Sequence, residues 1–344
     1  RIGVVGLGRM GMLHLRNAKF IDGVSVEAVA DKSKKELAKA SSLGVKNLFS
    51  DFTDMIGHSS LDAVIIALPH FLHEEAAVLS AENGFHIFVE KPLGRTVKEC
   101  ERIIEAAHRN GVKLCVDHNY RYFENIREMK SRYEKGYLGE VGLFTSALVT
   151  NGPFAHPLHP KYVQDWWLDP KLSGGGALLA LGPHLIDLFE WFFKDVELLY
   201  ASFDSKLDLD YEDTASLTIR SRRTGTIGTV NVGWFERSIF PSFDFYVKLH
   251  GTGGYVSSDQ LGPGNIYVYG AKEAVKNVIR RFVGRKIRPL SFTYYYNSYY
   301  QILDDYVSSI RNDGEVPVSG EDALKTIEIV EGAYRRGGFD HAPE

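Results

Sequence analysis

Three groups of residues in this 344-residue chain have types and spacings suited to chemistry. The first is Gly6-Leu7-Gly8-Arg9-Met10-Gly11, set between the apolar run Ile2–Val5 and a helical pattern. Gly6 permits a tight turn, Gly8 lets backbone N–H groups such as those of Arg9 and Met10 approach a pyrophosphate, and Gly11 lets the helix pack closely on a strand. The phosphates then sit at the positive amino end of the helix. A bare Gly-x-Gly-x-x-Gly is weak alone, but here a strand precedes it, a helix follows, and an acid closes the next strand. That acid, Asp31, can accept both ribose hydroxyls of an adenosine and repel a 2′-phosphate, so NAD is the expected cofactor. Lys32, Lys34 and Lys35 follow at once. Lys32 can hold a phosphate, which keeps NADP open, whereas Lys35 reads as the solvated face of the next helix.

The next group, Phe88-Val89-Glu90-Lys91-Pro92, falls at the end of a later parallel strand, where ligands gather in open α/β sheets. Lys91 can bond a ribose and polarise a substrate hydroxyl there, and a nearby nicotinamide cation should lower its pKa. Its plainer reading is a surface lysine before a turn-forming proline, with Lys91 kept extended by Pro92 and the bond able to be cis. The last group begins at Gly174-Gly175-Gly176 and runs through an apolar helical stretch that contains His184. A lone His in such a stretch is more often a packed residue than a catalyst. As a base, however, its ordinary pKa of about 6.5 suits proton transfer in both directions.

These groups need elements to position them. Apolar strand runs and helical patterns alternate up to His118, which predicts an α/β Rossmann fold with a doubly wound parallel sheet. Beyond it, longer strands of alternating polarity separated by glycine turns predict an α+β domain with a mostly antiparallel sheet. The expected domains are residues 1–118, which bind NAD(P), and 119–344, which bind substrate and mediate oligomerisation.

Composition excludes several classes. With 40 Lys and Arg against 44 Asp and Glu, the chain has no global positive field to draw it to nucleic acid. Only two cysteines occur, Cys100 and Cys115, too few for a disulfide scaffold or a Cys-based zinc site, and a cytoplasmic location is expected. Nothing at the amino end resembles a signal peptide. The most apolar stretch, Gly176 to Phe193, contains Pro183, His184, Asp187 and Glu190, which predicts a helix of the core and no membrane span. His73-Glu74 is followed by Ala77 where a zinc protease needs His, so no metal is expected. One basic run, Lys272 to Arg288, interleaves Lys276, Arg280, Arg281, Arg285 and Lys286 with Val278, Ile279, Phe282 and Val283. A solvated helix face is the usual meaning, and an anionic partner such as a nucleotide-sugar diphosphate or an acidic membrane surface the other. Tyr294 to Tyr296, Tyr299 and Tyr300 read as packing.

The motifs together resemble the glucose-fructose oxidoreductase, inositol dehydrogenase and rhizopine-catabolism (Gfo/Idh/MocA) family. The resemblance runs through Gly6 to Gly11 with His14, Leu68-Pro69-His70 with His73, Glu90-Lys91-Pro92, Asn119-Tyr120-Arg121, Gly136 to Gly139, Gly174 to Asp187, and Pro317 to Asp322. It implies a Rossmann domain followed by an open-faced sheet that often forms an oligomer interface, so a homodimer or homotetramer is expected. It further implies that Leu68, Pro69, His73 and Glu90 join the cofactor site and that Arg121 contacts substrate. The family's catalytic set is the Lys of Glu-Lys-Pro, an Asp, and a His four residues later. Lys91 and His184 match, but Ala180 stands at the Asp position. One helical turn from His184, a carboxylate there would orient the imidazole or touch the sugar, and Ala180 does neither. An engineered change, a subfamily working with two residues, or cofactor binding without turnover would each account for it, and Asp187 offers a partial substitute.

The implied reaction moves a hydride from a CH–OH carbon of a sugar, cyclitol or nucleotide sugar to nicotinamide, with His184 taking the hydroxyl proton and Lys91 steadying the oxygen. Asp165, Trp166, His156 and His159, before the glycine run, are candidates to grip a polyol, with plain loop packing the alternative. Two other readings stand beside the dehydrogenase: an NAD-dependent glycosidase of the same superfamily, and a non-catalytic sensor of cofactor or sugar.

Overall fold

The structure, a computed structural model, describes residues 1–58, 60–153, 165–235, 244–261, 266–284, 287–289 and 294–338. It divides into two compact units, the first made of residues 1–93, 99–122 and 263–320, the second of 94–98, 123–262 and 321–344.

The first unit begins with alternating strands and helices: β1 (Ile2–Val5), α1 (Arg9–Ala18), β2 (Val26–Ala30), α2 (Lys34–Ser42), β3 (Asn47–Phe49), α3 (Phe52–His58), β4 (Ala63–Ile66), α4 (His73–Glu82), β5 (His86–Val89), α5 (Val97–Arg109) and β6 (Leu114–Val116). The strands form one sheet in the order β3-β2-β1-β4-β5-β6, every pair parallel. β1 and β4 are buried at all positions, as strands covered on both faces must be, which explains their continuous apolar runs. The strand order reverses between β1 and β4, so the sheet opens a crevice at the carboxyl ends of those two strands.

The second unit contains α6 (Glu124–Glu134), β7 (Val141–Val149), α7 (Pro170–Ser173), α8 (Ala177–Phe193), β8 (Val196–Asp204), β9 (Thr214–Ser221), β10 (Ile227–Gly233), β11 (Asp244–Gly251), β12 (Gly254–Ser257) and α9 (Ser258–Leu261). Its sheet has the order β12-β11-β7-β10-β9-β8, and only the β7–β10 pair is parallel. Phe189 and Phe193 of α8 pack on one face, with Phe189 edge-on to Phe144 of β7 at 5.2 Å. Leu143, Tyr200, Ile227 and Tyr255 remain exposed, so the sheet is open-faced. Residues 170–193 have the length and hydropathy of a membrane-crossing helix, but 89% of that window is buried inside the protein, the mark of a core helix.

The chain then re-enters the first unit through α10 (Ile266–Phe282) and α11 (Tyr294–Arg311) before closing with α12 (Gly320–Gly337). Tyr300, Ile302, Leu303, Tyr306 and Val307 of α11 share one core with Val4, Leu15, Ile65 and Phe88. Tyr306 packs on Phe88 with ring centroids 5.3 Å apart. A simple cut of the sequence at residue 118 leaves this returning helix out of the unit whose core it completes.

Candidate functional site

The turn between β1 and α1 is shaped by what glycine alone allows. Gly6 has φ of +82°, and a Cβ there would collide with the Ala67 carbonyl. A Cβ on Gly11 would run into the Gly6 carbonyl oxygen, so the helix starts pressed against its own turn. No side chain caps α1 at Gly8, and its first turn holds no acid. The positive helix end is left for an anion. Asp31 follows β2 and ties the turn to it, with Oδ2 accepting from the Leu7 amide at 2.6 Å and Oδ1 from the Ser33 amide at 2.7 Å. Each carboxylate oxygen keeps a second lone pair for a ribose hydroxyl. Lys32, Lys34 and Lys35 are exposed.

On the other side of the strand-order reversal, His73 is buried and bridges two loops. Its Nε2 lies 2.9 Å from the Leu68 carbonyl and its Nδ1 2.8 Å from that of Pro92. Burial lowers its pKa against the pull of those carbonyls. A neutral ring donates to one carbonyl only. His73 therefore holds together the segments that carry Leu68, Pro69 and Lys91. The Lys91–Pro92 bond is cis.

Lys91 sits beside a buried acid cluster. His14 Nε2 lies 2.8 Å from Glu90 Oε1 and 3.3 Å from Asp117 Oδ2, with His14 and Asp117 fully buried. Burial and the neighbouring Glu90 charge push the Asp117 carboxyl well above its ordinary range. Burial also acts to raise Glu90, but the His14 hydrogen bond and the charges of His14 and Lys91 outweigh it and hold Glu90 low. The pair is therefore unequal: burial beside Glu90 favours the neutral form of Asp117, and the His14 hydrogen bond favours the charged form of Glu90. Burial draws the Lys91 ammonium down, while Glu90 and Asp117 oppose that. By type, His14, Glu90 and Asp117 form a set that a divalent cation accepts. The Lys91 ammonium lies within electrostatic reach of Glu90 and Asp117 and brings positive charge to the same cluster.

Asp117 belongs to none of the sequence motifs. It follows the apolar run Leu114-Cys115-Val116 at the carboxyl end of β6, and that position was the available signal. Arg121 is buried on the one-turn helix Asn119–Tyr122, which is pinned to α11 by Asn119 Nδ2 donating to Ser298 Oγ at 2.8 Å and Tyr122 OH to Asp305 at 2.7 Å.

The second unit holds the other predicted residues. Ala180 and His184 are buried on α8 one turn apart, with Asp187 buried one turn further on. The amino end of α8 is already filled. Glu212, just before β9, sends its carboxylate into it: Oε2 accepts from the Gly176 amide at 3.2 Å, and Oε1 from the Leu178 amide at 2.9 Å and from Tyr334 OH at 2.7 Å. Tyr334 OH in turn accepts from the Leu179 amide at 3.2 Å. Burial pushes Glu212 up to about 7, resisted by the Tyr334 hydroxyl and the two amides. A Cβ on Gly175 would strike Tyr334, and one on Gly176 the Glu212 carbonyl, which accounts for those two glycines. Sequence reasoning missed Glu212 and Tyr334 because neither belongs to a local motif.

Asp165 is exposed and Trp166 half-buried on the short turn Asp165–Leu168, where Trp166 meets Trp167 edge-on at 5.6 Å. His156 and His159 lie outside the described residues.

Comparison with known proteins agrees with this layout. The family model for the Gfo/Idh/MocA oxidoreductases, described as an NAD-binding Rossmann fold, matches residues 1–118, and the model for the family's C-terminal domain matches residues 126–257. A myo-inositol 2-dehydrogenase of Thermotoga maritima is 25% identical over 95% of this chain and 93% of its own length. The rhizopine catabolism protein MocA of Rhizobium meliloti is 24% identical over 97% of this chain and 93% of its own. The crystal structure of scyllo-inositol dehydrogenase from Lactobacillus casei with bound NAD(H) and scyllo-inositol shares the fold, with a TM-score of 0.76, 22% identity, and coverage of 97% of this chain and 96% of that one. With both halves of its architecture matched, the chain belongs to the Gfo/Idh/MocA oxidoreductases, an NAD-binding family.

Proposed function

We propose that the protein is an NAD-dependent dehydrogenase of a sugar or cyclitol CH–OH group. The observation that carries this reading is the uncapped α1 end beside Asp31, on the same sheet edge as Lys91 and its acid pair. Gly8, Arg9, Met10 and Gly11 present the helix end to the diphosphate, and Asp31 takes the adenosine ribose, which disfavours the 2′-phosphate of NADP. Bound nicotinamide supplies the hydride acceptor at its C4. Lys91 donates a hydrogen bond to the substrate hydroxyl oxygen, and its charge stabilises the alkoxide character that grows as the C–H bond breaks. His184 removes the hydroxyl proton as the carbon becomes a carbonyl. In this reading Leu68, Pro69 and His73 are assigned to the cofactor, and Arg121, Asp165, Trp166 and His156 are the candidates for binding the polyol. Inositol and nucleotide-sugar substrates are supported by the names of relatives and neighbours, among them a dehydrogenase crystallised with NADH and UDP-GlcNAcA. Both cysteines are buried, and burial raises the Cys115 thiol, consistent with a reducing cytoplasm. The open sheet face offers a surface for a homodimer or homotetramer.

Ala180 favours one second reading: a protein that binds cofactor and sugar without turnover. Nicotinamide absorbance followed across a panel of cyclitols, sugars and nucleotide sugars separates the two, with the native chain and Ala180→Asp run in parallel. Reduction of NAD by either version supports the dehydrogenase. Tight NAD binding with no reduction by either supports the sensor.

A further inference from the structure

A helix of a water-soluble domain ordinarily turns its apolar stripe inward and its polar face outward. α10 is built the other way round. Its inward side is polar: Tyr269 and Glu273 are buried, and Tyr269 OH accepts from Asn297 Nδ2 at 3.1 Å. Glu273 pairs with Lys276 at 2.6 Å and with Arg280 at 4.0 Å. Asn277 donates to the Arg288 carbonyl and accepts from the Arg288 amide and Arg280, each at 2.9 Å. The outward side is apolar. Val268, Val275, Val278, Ile279 and Val283 are each more than half exposed, and Phe282 is 87% exposed. At about 100° per residue Val268, Val275, Val278, Ile279 and Phe282 share one face of α10, opposite Tyr269, Glu273, Asn277 and Arg280. Exposed Lys272 and Lys276 border that face on one side and Arg281 on the other. The helix carries four cationic residues and one acid, within a chain whose net charge is −4.

We infer that α10 is a membrane-surface helix that lays its Val268, Val275, Ile279 and Phe282 face on an anionic lipid bilayer. An apolar stripe with lysine and arginine along its borders matches the two layers of such a surface, acyl chains below and anionic headgroups beside. A second copy of this chain would bring the same positive border against itself, so charge complementarity selects the lipid. The polar inward side gives the helix a fixed footing on the protein, with its apolar face left outward. This goes beyond the dehydrogenase reading, because it concerns where the protein works and uses none of the residues assigned to cofactor or substrate.

The test is co-sedimentation of the full chain with vesicles of equimolar phosphatidylglycerol and phosphatidylcholine, against vesicles of phosphatidylcholine alone. The intact protein should bind the anionic vesicles and bind the neutral ones much less. Lys272→Ala with Arg281→Ala should weaken binding about 25-fold, at about fivefold per cation near an anionic surface. Phe282→Glu should weaken it by a further tenfold or more, with the thermal midpoint unchanged because the side chain is 87% exposed. If Phe282→Glu fails to fold, Val275→Gln reads the same face. Absence of binding to anionic vesicles overturns the inference, as does equal binding by the Phe282 and Val275 variants. So does an oligomer that Phe282→Glu dissociates in analytical ultracentrifugation, since the face would then belong to a second copy.

Discussion

Two glycine turns open two helices in this protein, and the chain treats them oppositely. At Gly6 to Gly11 the amino end of α1 has no side-chain cap, and the nearest acid, Asp31, binds the Leu7 amide within the turn. At Gly174 to Gly176 the amino end of α8 receives the Glu212 carboxylate and, through it, Tyr334. One turn is left open to an outside anion. The other is filled by a carboxyl group of the chain itself. Glycine at the start of a helix thus permits close approach, and what approaches is decided by residues far away in sequence.

The largest expected effect comes from closing the open turn. In Gly11→Ala the new methyl meets the Gly6 carbonyl, which displaces the amides at the open helix end, and NAD affinity should fall about tenfold or more. Unchanged affinity in a calorimetric titration would break the contrast between the two turns. Next, Glu212→Ala empties the filled turn. It leaves buried amides and a tyrosine hydroxyl unserved, so denaturant unfolding should show a loss of about 1–3 kcal/mol while NAD affinity stays the same.

The two turns also differ in pH response. Glu212 is raised from 4.5 to about 7 in the folded protein. A raised carboxyl contributes stability that is fully present below its unfolded pKa and is lost as pH rises through the folded one. Between pH 4.5 and 7 the unfolding free energy should therefore fall by about 3 kcal/mol, and Glu212→Gln should flatten that slope. A slope unchanged in Glu212→Gln would show that the acid does not titrate there.

The smallest effect sharpens a second contrast, between Glu212 and the acids beside Lys91. Burial and Glu90 push the Asp117 carboxyl upward, toward its neutral form, so the neutral Asn is close to a replacement, and Asp117→Asn should change turnover at pH 7 by less than about threefold, far below the ~10²-fold of a lost acid–base group. A large loss there would mean that Asp117 is the charged member of the pair.

The sequence carried the first unit well because its signals are local. Continuous apolar strands, helices in alternation and a glycine motif opening α1 all lie within a few residues of what they specify. Lys91 and Asp31 were legible for the same reason, each closing a strand in a parallel sheet, where side chains face the ligand side. Other features were not legible. α11 completes the first core from the far end of the chain, and nothing in its amphipathic pattern names the sheet it joins. Glu212 and Tyr334 reach α8 through 34 and 155 positions of chain, a pairing no periodicity encodes. β3 and α3 are short and half exposed, with too few apolar residues to mark a period. The basic run at Lys272 was visible as a run, but which side of α10 faces the protein depends on Tyr269, Glu273 and Asn277 finding partners.

The proposed reaction has Lys91 and His184 act on one substrate hydroxyl, and a double-mutant cycle measures that directly. Take kcat/KM for the best cyclitol or sugar in the native chain, Lys91→Ala, His184→Ala and the double variant, with NAD binding measured in each. Two groups serving one oxygen should act as a unit: NAD affinity stays nearly constant, and the double variant loses far less than the product of the two single losses. Single losses that multiply in full would show independent roles and contradict a shared reacting centre.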